Sequence, residues 1–303
     1  MIDWCYAYDR RFTLPFFKDT VESLLQRPFN VLFRHQTSIE QLTEFCETYP
    51  GLRPTGFIFH MSRCGSTLIS QMLATSSQNV VISEPEIVDA VFSSNASSRK
   101  FSNEQRVELL RCLIGALGQK RFSEEHRYFV KFDNWAVLDL PLIKQAFPDV
   151  PRIFLYRDPV PVMVSNLNEI AGKFLPSAVD PAILGLDYQS VFQMRFEEYL
   201  AICLNRFCQA GLDHLDDKTV LVNYRQLPDF VLTDLPAVFR SEFSAEEIEA
   251  MKKVSTLHAK RPSAPYTDDT KAKQSQASEF VRQMTEKWVM PVYQQLEAKR
   301  LAS

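Results

Sequence analysis

Short apolar segments alternate with longer amphipathic segments along most of the chain, and this alternation predicts a parallel β-sheet. A buried strand typically shows an uninterrupted apolar run of about four to eight residues, whereas a helix places apolar residues along one face. Strands that alternate with helices in this way form a sheet with helices on both faces. The predicted strands, in chain order, are 56–61, 80–83, 128–132, 152–156 and 220–224.

Longer segments with an apolar face predict helices around these strands. In the segment 65–75, for example, Leu68 and Met72 share one face. Ser102 is a candidate N-cap, and Pro159 suits a first helical turn. The predicted helices span about 18–26, 38–48, 65–75, 103–120, 137–147, a segment that starts near 159, 188–210, and 275–300 with an interruption at Pro291.

These elements predict an α/β fold with a P-loop-type parallel sheet of about five strands and helices on both faces. The whole chain, 1–303, is expected to form one such domain. Residues 1–50 do not follow the alternation of strands and helices and are expected to form an N-terminal extension. The core of the domain is expected at residues 55–230. Residues 260–303 are expected to form a late loop and a C-terminal helix, in which the polar stretch 260–278 is a surface loop or a lid.

Composition is typical of a globular protein and narrows the choice of partners. Apolar residues make up 46% and charged residues 23% of the 303 residues, as in ordinary globular domains. The net charge of −3 argues against a general nucleic-acid binder, so any anion site must be a local basic pocket. The N-terminus lacks an apolar signal-peptide segment and no apolar run reaches about 18 residues, so we expect a cytoplasmic protein without a membrane span.

The six cysteines are scattered along the chain. None belongs to a C-x-x-C pair with a matching Cys or His pair, so the sequence predicts no metal site. This pattern is typical of a protein from a reducing compartment.

The loop after the first core strand has the residues of a phosphate-binding site. Backbone N–H groups at the start of a helix point toward an anion, and the helix dipole adds a favourable potential. Gly65 allows a close approach of the backbone, and Ser66 and Thr67 offer hydroxyl donors. Arg63 adds a charged fork that suits phosphate and sulfate oxygens.

The same loop differs from a standard NTPase loop, which requires G-x-x-x-x-G-K-[ST]. His60 stands at the position of the first Gly, and Ser66 stands at that of the Lys. The missing Lys argues against hydrolysis of ATP or GTP with magnesium. One alternative is nevertheless an ATP-dependent P-loop kinase or nucleotide-binding protein, for which Asp133 could supply the metal ligand. A non-catalytic P-loop scaffold is another.

The loop resembles the 5′-phosphosulfate loop of sulfotransferases that use 3′-phosphoadenosine-5′-phosphosulfate (PAPS). It is most similar to the P-R-S-G-T-T-L form of the tyrosylprotein branch and of many bacterial enzymes. Three positions depart from that form, and all three carry small residues that should preserve the shape of the loop. The loop reads Met61, Ser62, Arg63, Cys64, Gly65, Ser66, Thr67 and Leu68, and the departures are Ser62, Cys64 and Ser66.

A second motif lies at the end of the fourth predicted strand. Arg157 is followed eight residues later by Ser165, which resembles the family's 3′-phosphate motif. Arg157 is expected at the carboxyl edge of the sheet and Ser165 about two turns into the next helix, so both could face one phosphate. The 3′-phosphate distinguishes PAPS from ATP, and this motif therefore favours PAPS as the donor and adenosine 3′,5′-bisphosphate as the product.

The resemblance implies roles for further residues. Glu84 follows Arg63 by 21 residues and Lys131 precedes Arg157 by 26, matching the catalytic Glu and a Lys near the transferring group in the tyrosylprotein branch. Tyr224 begins a Tyr-x-x-Leu element whose Tyr approaches the nucleotide. The cofactor-binding residues implied in this way are Ser62, Arg63, Cys64, Gly65, Ser66, Thr67, Arg157, Ser165 and Tyr224, and the catalytic residues are Arg63, Glu84 and Lys131.

Two assignments stay open at this point. The base that accepts the acceptor's proton is expected to be Glu84, with Asp133 second and Glu86 or His60 less favoured. The cation that completes the 3′-phosphate site is expected in the late loop. Its candidates are Lys260, Arg261, Lys271 and Lys273.

The acceptor is the part of the reaction about which the sequence says least. A small molecule is expected, but a lipid, a glycan or a peptide tyrosine stays open, as does the oligomeric state. The N-terminal extension and the segments 86–102, 170–188 and 260–278 are expected to shape its pocket.

Overall fold

The fold is described from a computed structural model, which covers residues 1–92, 101–176, 178–265 and 269–302. Its strands are β1 (Ile2–Trp4), β2 (His35–Thr37), β3 (Gly56–His60), β4 (Asn79–Ser83), β5 (Arg127–Lys131), β6 (Arg152–Tyr156), β7 (Thr219–Asn223), β8 (Leu257–His258) and β9 (Arg261–Pro265). Its α-helices are α1 (Phe17–Leu25), α2 (Pro28–Leu32), α3 (Ile39–Thr48), α4 (Ser66–Leu73), α5 (Glu86–Phe92), α6 (Asn103–Leu117), α7 (Leu140–Ala146), α8 (Pro159–Asn168), α9 (Tyr188–Gln193), α10 (Phe196–Asp213), α11 (Asp229–Thr233), α12 (Leu235–Val238), α13 (Ala245–Ser255), α14 (Thr270–Gln276), α15 (Glu279–Met284) and α16 (Met290–Ala302).

A five-stranded parallel sheet in the order β4-β5-β3-β6-β7 forms the centre of the molecule, and helices flank it. The predicted α/β fold is therefore confirmed, and each predicted core strand lies within one residue of an observed one. Ser83 pairs with Lys131 across β4 and β5, and Tyr156 pairs with Asn223 across β6 and β7. The carboxyl ends of all five strands consequently meet at one edge, which is where ligands bind in sheets of this kind.

Several helices begin where the sequence predicts them because their caps are local. Ser38 and Ser102 each accept a hydrogen bond from the N–H three residues on, and each forms a reciprocal capping box at the start of α3 and α6. No helix among the described residues is both long and apolar enough to cross a membrane.

The single long helix predicted for 188–210 is wrong. The chain forms α9 and α10 instead, separated by Met194 and Arg195 in extended conformation. Arg195 pairs with Glu197 at 2.8 Å, and the acidic residues of the first turn of α10 suit a helix N-terminus. The helix predicted for 188–210 is therefore divided at the point where α10 begins.

The late polar stretch is more regular than a loop. Residues 261–265 form β9, which pairs with β8, and α14 follows at Thr270–Gln276. The C-terminal helix is interrupted at Ala277 and Ser278 and by a π-helical turn at Thr285–Val289. Pro291 lies in the first turn of α16 rather than ending a helix. A proline is tolerated there because the N–H groups of a first helical turn have no partner within the helix.

The N-terminal extension packs onto the core through residues near its antiparallel strand pair β1–β2 and through its helices. Leu24 of α1 and Leu42 of α3 are both 1% exposed, and Leu42 belongs to the main hydrophobic core. The extension therefore forms part of the described globular body.

The packing of β6 against α10 leads to a prediction about the stability of the protein. Phe154 of β6 is 1% exposed, and its ring lies so close to Gly211 that an added Cβ there would approach it to 2.7 Å. We expect Phe154→Ala to lower the free energy of unfolding in urea by about 3–5 kcal/mol, because it leaves a cavity beneath α10. Phe192→Ala, at a side chain that is 66% exposed, should change it by less than about 0.5 kcal/mol. Equal effects would contradict the close packing of β6 on α10.

Candidate functional site

The loop between β3 and α4 has an unusual backbone. Ser62, Arg63 and Gly65 all have positive φ, at 105°, 47° and 91°. A Cβ at Gly65 would lie 2.8 Å from Leu227 Cδ1 and 3.0 Å from Tyr224 Cδ2, so only glycine fits. Strained non-glycine residues persist where the surrounding structure holds them, commonly at binding sites.

Buried hydrogen bonds hold this loop in place. Ser62 Oγ donates to Asn166 Oδ1 at 3.1 Å, and Cys64 Sγ donates to the Leu155 carbonyl at 3.2 Å. The side chains of Ser62 and Cys64 thus support the loop, and any contact of theirs with an anion would come from the backbone. Ser66 and Thr67 open α4, where the first N–H groups have no partner within the helix.

His60 is a structural histidine in this arrangement. Its Nδ1 accepts from the Ser62 N–H at 3.2 Å, so its Nε2 carries the proton and donates to the Phe132 carbonyl at 3.1 Å. Burial lowers the pKa of His60, even though the carboxylate of Glu84 lies 3.7 Å from Nε2. A neutral imidazole with both nitrogens engaged is poorly placed to accept a further proton.

Glu84 and Lys131 meet at the carboxyl edge of the sheet. Glu84 has a positive φ of 56°, and its N–H donates to the Lys131 carbonyl at 2.6 Å, which turns the carboxylate back toward the lysine. Lys131 Nζ, on a side chain that is 1% exposed, donates to Glu84 Oε1. Burial raises the pKa of Glu84, but the charge of Lys131 and the contact with His60 outweigh it and hold the pKa well below its usual range.

Acidic residues form one wall beside this pair. Lys173 Nζ lies 2.5 Å from Asp89 Oδ2 and 3.3 Å from Asp133 Oδ1. Burial raises the pKa of Asp89 to about 6, with Lys173 opposing and Asp133 and Glu84 adding to the shift. The sequence reasoning missed Asp89, because nothing local marks an acid in the first turn of a helix as buried. No group of three or more metal-binding side chains occurs in the described part of the chain.

Arg157 and Tyr224 lie together at the other side of the loop. The Arg157 guanidinium is 4.0 Å from the centre of the Tyr224 ring, and its Nη2 donates to Thr270 Oγ1 at 2.6 Å. Its buried Nε has no hydrogen-bond partner among the described residues. Arg157 and Tyr224 line a cavity of about 420 Å³ together with Leu68 and Leu227.

The late segment reaches this corner through α14. Lys273 Nζ donates to Ser165 Oγ at 3.2 Å, and the same ammonium lies 2.6 Å from Asp269 Oδ2. Asp269 Oδ1 is also 3.4 Å from Arg157 Nη2. A carboxylate therefore lies between Arg157 and Lys273, beside Ser165.

The other late-loop candidates lie elsewhere. Lys271 lines a separate cavity with Asp158 and Arg282. Lys260 lies near Lys131, since the Nζ of each contacts the Phe16 ring, and Lys260 Nζ is 5.6 Å from the centre of that ring. Desolvation together with the nearby charge of Arg63 lowers the pKa of Lys260. The side chain of Arg261 falls outside the described residues, as do residues 93–100, 177 and 266–268 of the three segments expected to shape the acceptor pocket.

Arg63 is turned away from the interior of the loop. Its Nη1 lies 2.8 Å from Glu169 Oε2, and its Nη2 donates to the Glu169 carbonyl at 2.5 Å. Its own carbonyl accepts from Arg157 Nη1 at 3.5 Å, which links the loop to the Arg157 corner. In this conformation Arg63 binds the C-terminal end of α8.

The buried pair predicts a pH-dependent stability. Glu84→Gln should destabilise the protein by about 3 kcal/mol, because it leaves the Lys131 ammonium buried without a counterion. Adding Lys131→Met should recover much of that loss. Since the pKa of Glu84 is lowered in the folded state, its contribution is present above the unfolded value of about 4.3 and is lost as the pH falls below it.

Urea unfolding at several pH values checks this prediction. The difference between wild type and Glu84→Gln should shrink as the pH is lowered below about 4.3. Glu249→Gln, at a carboxylate that is 61% exposed, is the matched control and should have little effect at any pH. A difference that is constant with pH would contradict the ion pair.

Comparisons with known proteins place the chain in a family. The model of the Sulfotransferase family matches residues 54–229, whereas no curated protein matches the chain. Among solved structures, it is similar to a sulfotransferase domain from the curacin biosynthetic pathway, with 16% identity, a TM-score of 0.44, and coverage of 78% of this chain and 97% of that one.

Two bacterial structures give similar values. A sulfotransferase from Alicyclobacillus acidocaldarius is 13% identical with a TM-score of 0.44, over 82% of this chain and 96% of its own. Sulfotransferase STF1 from Mycobacterium tuberculosis H37Rv is 13% identical with a TM-score of 0.45, over 89% of this chain and 82% of its own. The match to the family model spans more than half of the chain and includes β3 to β7 with the loop and Arg157. The chain therefore belongs to the sulfotransferase family.

Proposed function

We propose that this protein transfers a sulfuryl group from PAPS to a hydroxyl, or an amine, of a small-molecule acceptor. The observation that carries the proposal is that two candidate anion-binding corners lie next to each other at the carboxyl edge of the sheet. One corner is the loop that ends at Gly65, and the other contains Arg157 and Ser165. The Arg157 contact with the Arg63 carbonyl joins the two.

The 3′-phosphate of the cofactor would bind at Arg157, Ser165 and Lys273. These groups supply a guanidinium fork, a hydroxyl and an ammonium, which suit a dianionic phosphate. Arg157 and Lys273 both contact the carboxylate of Asp269, so this location already accepts an anion. Lys273 is the late-segment cation that we assign to the site.

The rest of the cofactor would extend from this corner to the loop. The nucleoside would occupy the cavity of about 420 Å³ beside Tyr224. The 5′-phosphate would bind the N–H groups and hydroxyls of Ser66 and Thr67, where the positive end of α4 favours an anion. The sequence resemblance to PAPS-dependent enzymes supports the same assignment.

Sulfuryl transfer requires that the acceptor oxygen attack in line while negative charge develops on the departing phosphate oxygen. Fixed cations that face this oxygen lower the barrier. Lys131 and Lys260 both lie near the Phe16 ring, at 5.3 and 5.6 Å from its centre. We assign Lys131 to the leaving phosphate, together with Arg63 after its side chain has left Glu169, and Lys260 contributes to the positive potential.

Glu84 is the first candidate for the base, and its pairing with Lys131 would control how strongly its carboxylate accepts a proton. While Lys131 is bound to it, Glu84 has a low pKa and accepts protons weakly. When Lys131 turns to the departing phosphate, Glu84 loses its counterion and burial then raises its pKa. The likeness of this pair to the tyrosylprotein branch supports these roles, and Asp133 and Asp89 are the alternatives within the same wall.

Ligand-dependent thermal stability tests the choice of donor. We expect adenosine 3′,5′-bisphosphate at about 100 times its dissociation constant to raise the melting temperature by about 4 °C. ATP with magnesium should not raise it. Arg157→Met should abolish the shift, whereas Arg206→Met, at an exposed position on α10, should preserve it. Stabilisation by ATP with magnesium alone would overturn the proposal in favour of a kinase.

The position of Asp269 leads to a more specific prediction. Its carboxylate occupies the place that we assign to the 3′-phosphate, so Asp269→Asn should strengthen binding of adenosine 3′,5′-bisphosphate by about five- to tenfold in calorimetry. Binding of adenosine 5′-monophosphate, which lacks the 3′-phosphate, should not change. Asp229→Asn, at an exposed acid on α11, is the control. An equal gain for both nucleotides would contradict the assignment of the 3′-phosphate.

A further inference from the structure

We infer that the acceptor is an amphipathic alcohol whose hydroxyl lies at Glu84 and whose uncharged apolar tail lies in a cavity beneath the N-terminal extension. This inference rests on the proposed function and adds the class of the acceptor. It assigns a binding role to a part of the chain that lies outside the region matched by the family model.

The cavity lies between the N-terminal extension and helix α6, and its volume is about 530 Å³. Ligand pockets typically measure about 300–1,000 Å³ and are mostly apolar. Most of the lining side chains here are aliphatic or aromatic. Those that form its inner walls include Phe17, Leu24, Leu42, Leu113 and Leu117.

Most of the charged side chains at this cavity have partners already, although the buried Nε of Arg121 has no hydrogen-bond partner among the described residues. Lys18 Nζ lies 3.4 Å from Glu86 Oε1 and 3.8 Å from Glu22 Oε1. Asp3 forms an ion pair with Arg34 at 2.8 Å. A ligand in the cavity would therefore meet mostly apolar walls. A peptide or a glycan placed there would bury N–H or hydroxyl groups without partners, which is costly, whereas an alkyl tail would not.

One end of the cavity adjoins the reaction centre along two chain segments. Phe16 has its ring 5.3 Å from Lys131 Nζ, and the next residue, Phe17, lines the cavity. Glu86, which also lines it, follows Glu84 by two residues, a separation of at most about 7 Å between Cα atoms. Both segments therefore pass from the reaction centre to the lining of the cavity within two residues of the chain, and we propose that the acceptor follows them.

In the transfer step, the hydroxyl oxygen of the acceptor forms a bond to sulfur while the bond between sulfur and the 5′-phosphate oxygen breaks. The proton passes to the carboxylate of Glu84, and adenosine 3′,5′-bisphosphate leaves with the electron pair. The products are a sulfate monoester with its tail in the cavity and the bisphosphate.

Transfer of labelled sulfate from PAPS to linear 1-alkanols, from butanol to decanol, tests the inference with the full chain. Each methylene buried in the cavity should raise kcat/KM by about three- to fourfold until the cavity is filled. Ala116→Phe, which projects into the cavity from α6, should remove the gain for the longer alcohols. Val21→Phe fills the cavity from the extension and is a second test should the first variant fold poorly.

Matched controls separate this inference from the proposed function. Ala298→Phe, at an exposed position on α16, should leave the chain-length dependence unchanged. All variants should keep the stabilisation by adenosine 3′,5′-bisphosphate. Trp4 also lines the cavity, so 10-bromo-1-decanol should quench its fluorescence in wild type but not in Ala116→Phe, with Trp4→Phe identifying the signal.

The outcomes distinguish the two ideas. Transfer that does not depend on chain length, with the bisphosphate still bound, would overturn the tail site and leave the proposed function standing. Quenching of Trp4 without transfer to any alcohol would overturn the alcohol as acceptor. Absence of both bisphosphate binding and transfer would overturn the proposed function itself.

Discussion

The buried ion pair between Lys131 and Glu84 is the interaction on which the candidate site depends. The parallel register places Ser83 of β4 beside Lys131 of β5, and the left-handed turn at Glu84 then brings its carboxylate onto the ammonium. A buried ammonium is tolerated only with a counterion and hydrogen bonds. The pair therefore keeps a reactive cation at the carboxyl edge of the sheet, next to the loop and to His60, and it also sets the protonation state of Glu84.

The same principle applies to Arg63, Arg157 and Lys273, because each of them, like Lys131, is paired with a carboxylate. The pairs are Glu84 with Lys131, Glu169 with Arg63, and Asp269 with Arg157 and Lys273. An anionic cofactor bound there would compete with these carboxylates for the same cations. This arrangement lets a chain with a net charge of −3 hold a concentrated cationic site, and it would make the binding of such a cofactor partly an exchange of anions.

The N-terminal extension joins this site to a different kind of surface. Phe16 contacts the cations near the transfer point, while its neighbours along the chain line an apolar cavity. Residues that contact charged groups and residues that line an apolar cavity are thus one or two positions apart in the chain. This arrangement suits an acceptor with a polar head and an apolar tail. The segment that we propose to select the acceptor lies outside the region that the family model matches.

The sequence by itself determined the sheet, the loop and the helix caps, because strand periodicity, glycine chemistry and capping boxes act over a few residues. It also pointed to Lys131, Glu84 and Arg157, because their positions match motifs of the sulfotransferase family that the chain resembles. Only the tertiary structure decided which charges pair and which elements cover the site, since those contacts join residues far apart in the chain. Features of this second kind are the acid Asp89, the Asp269 carboxylate at Arg157, the strand β9 within a polar stretch, and the cavity behind Phe16.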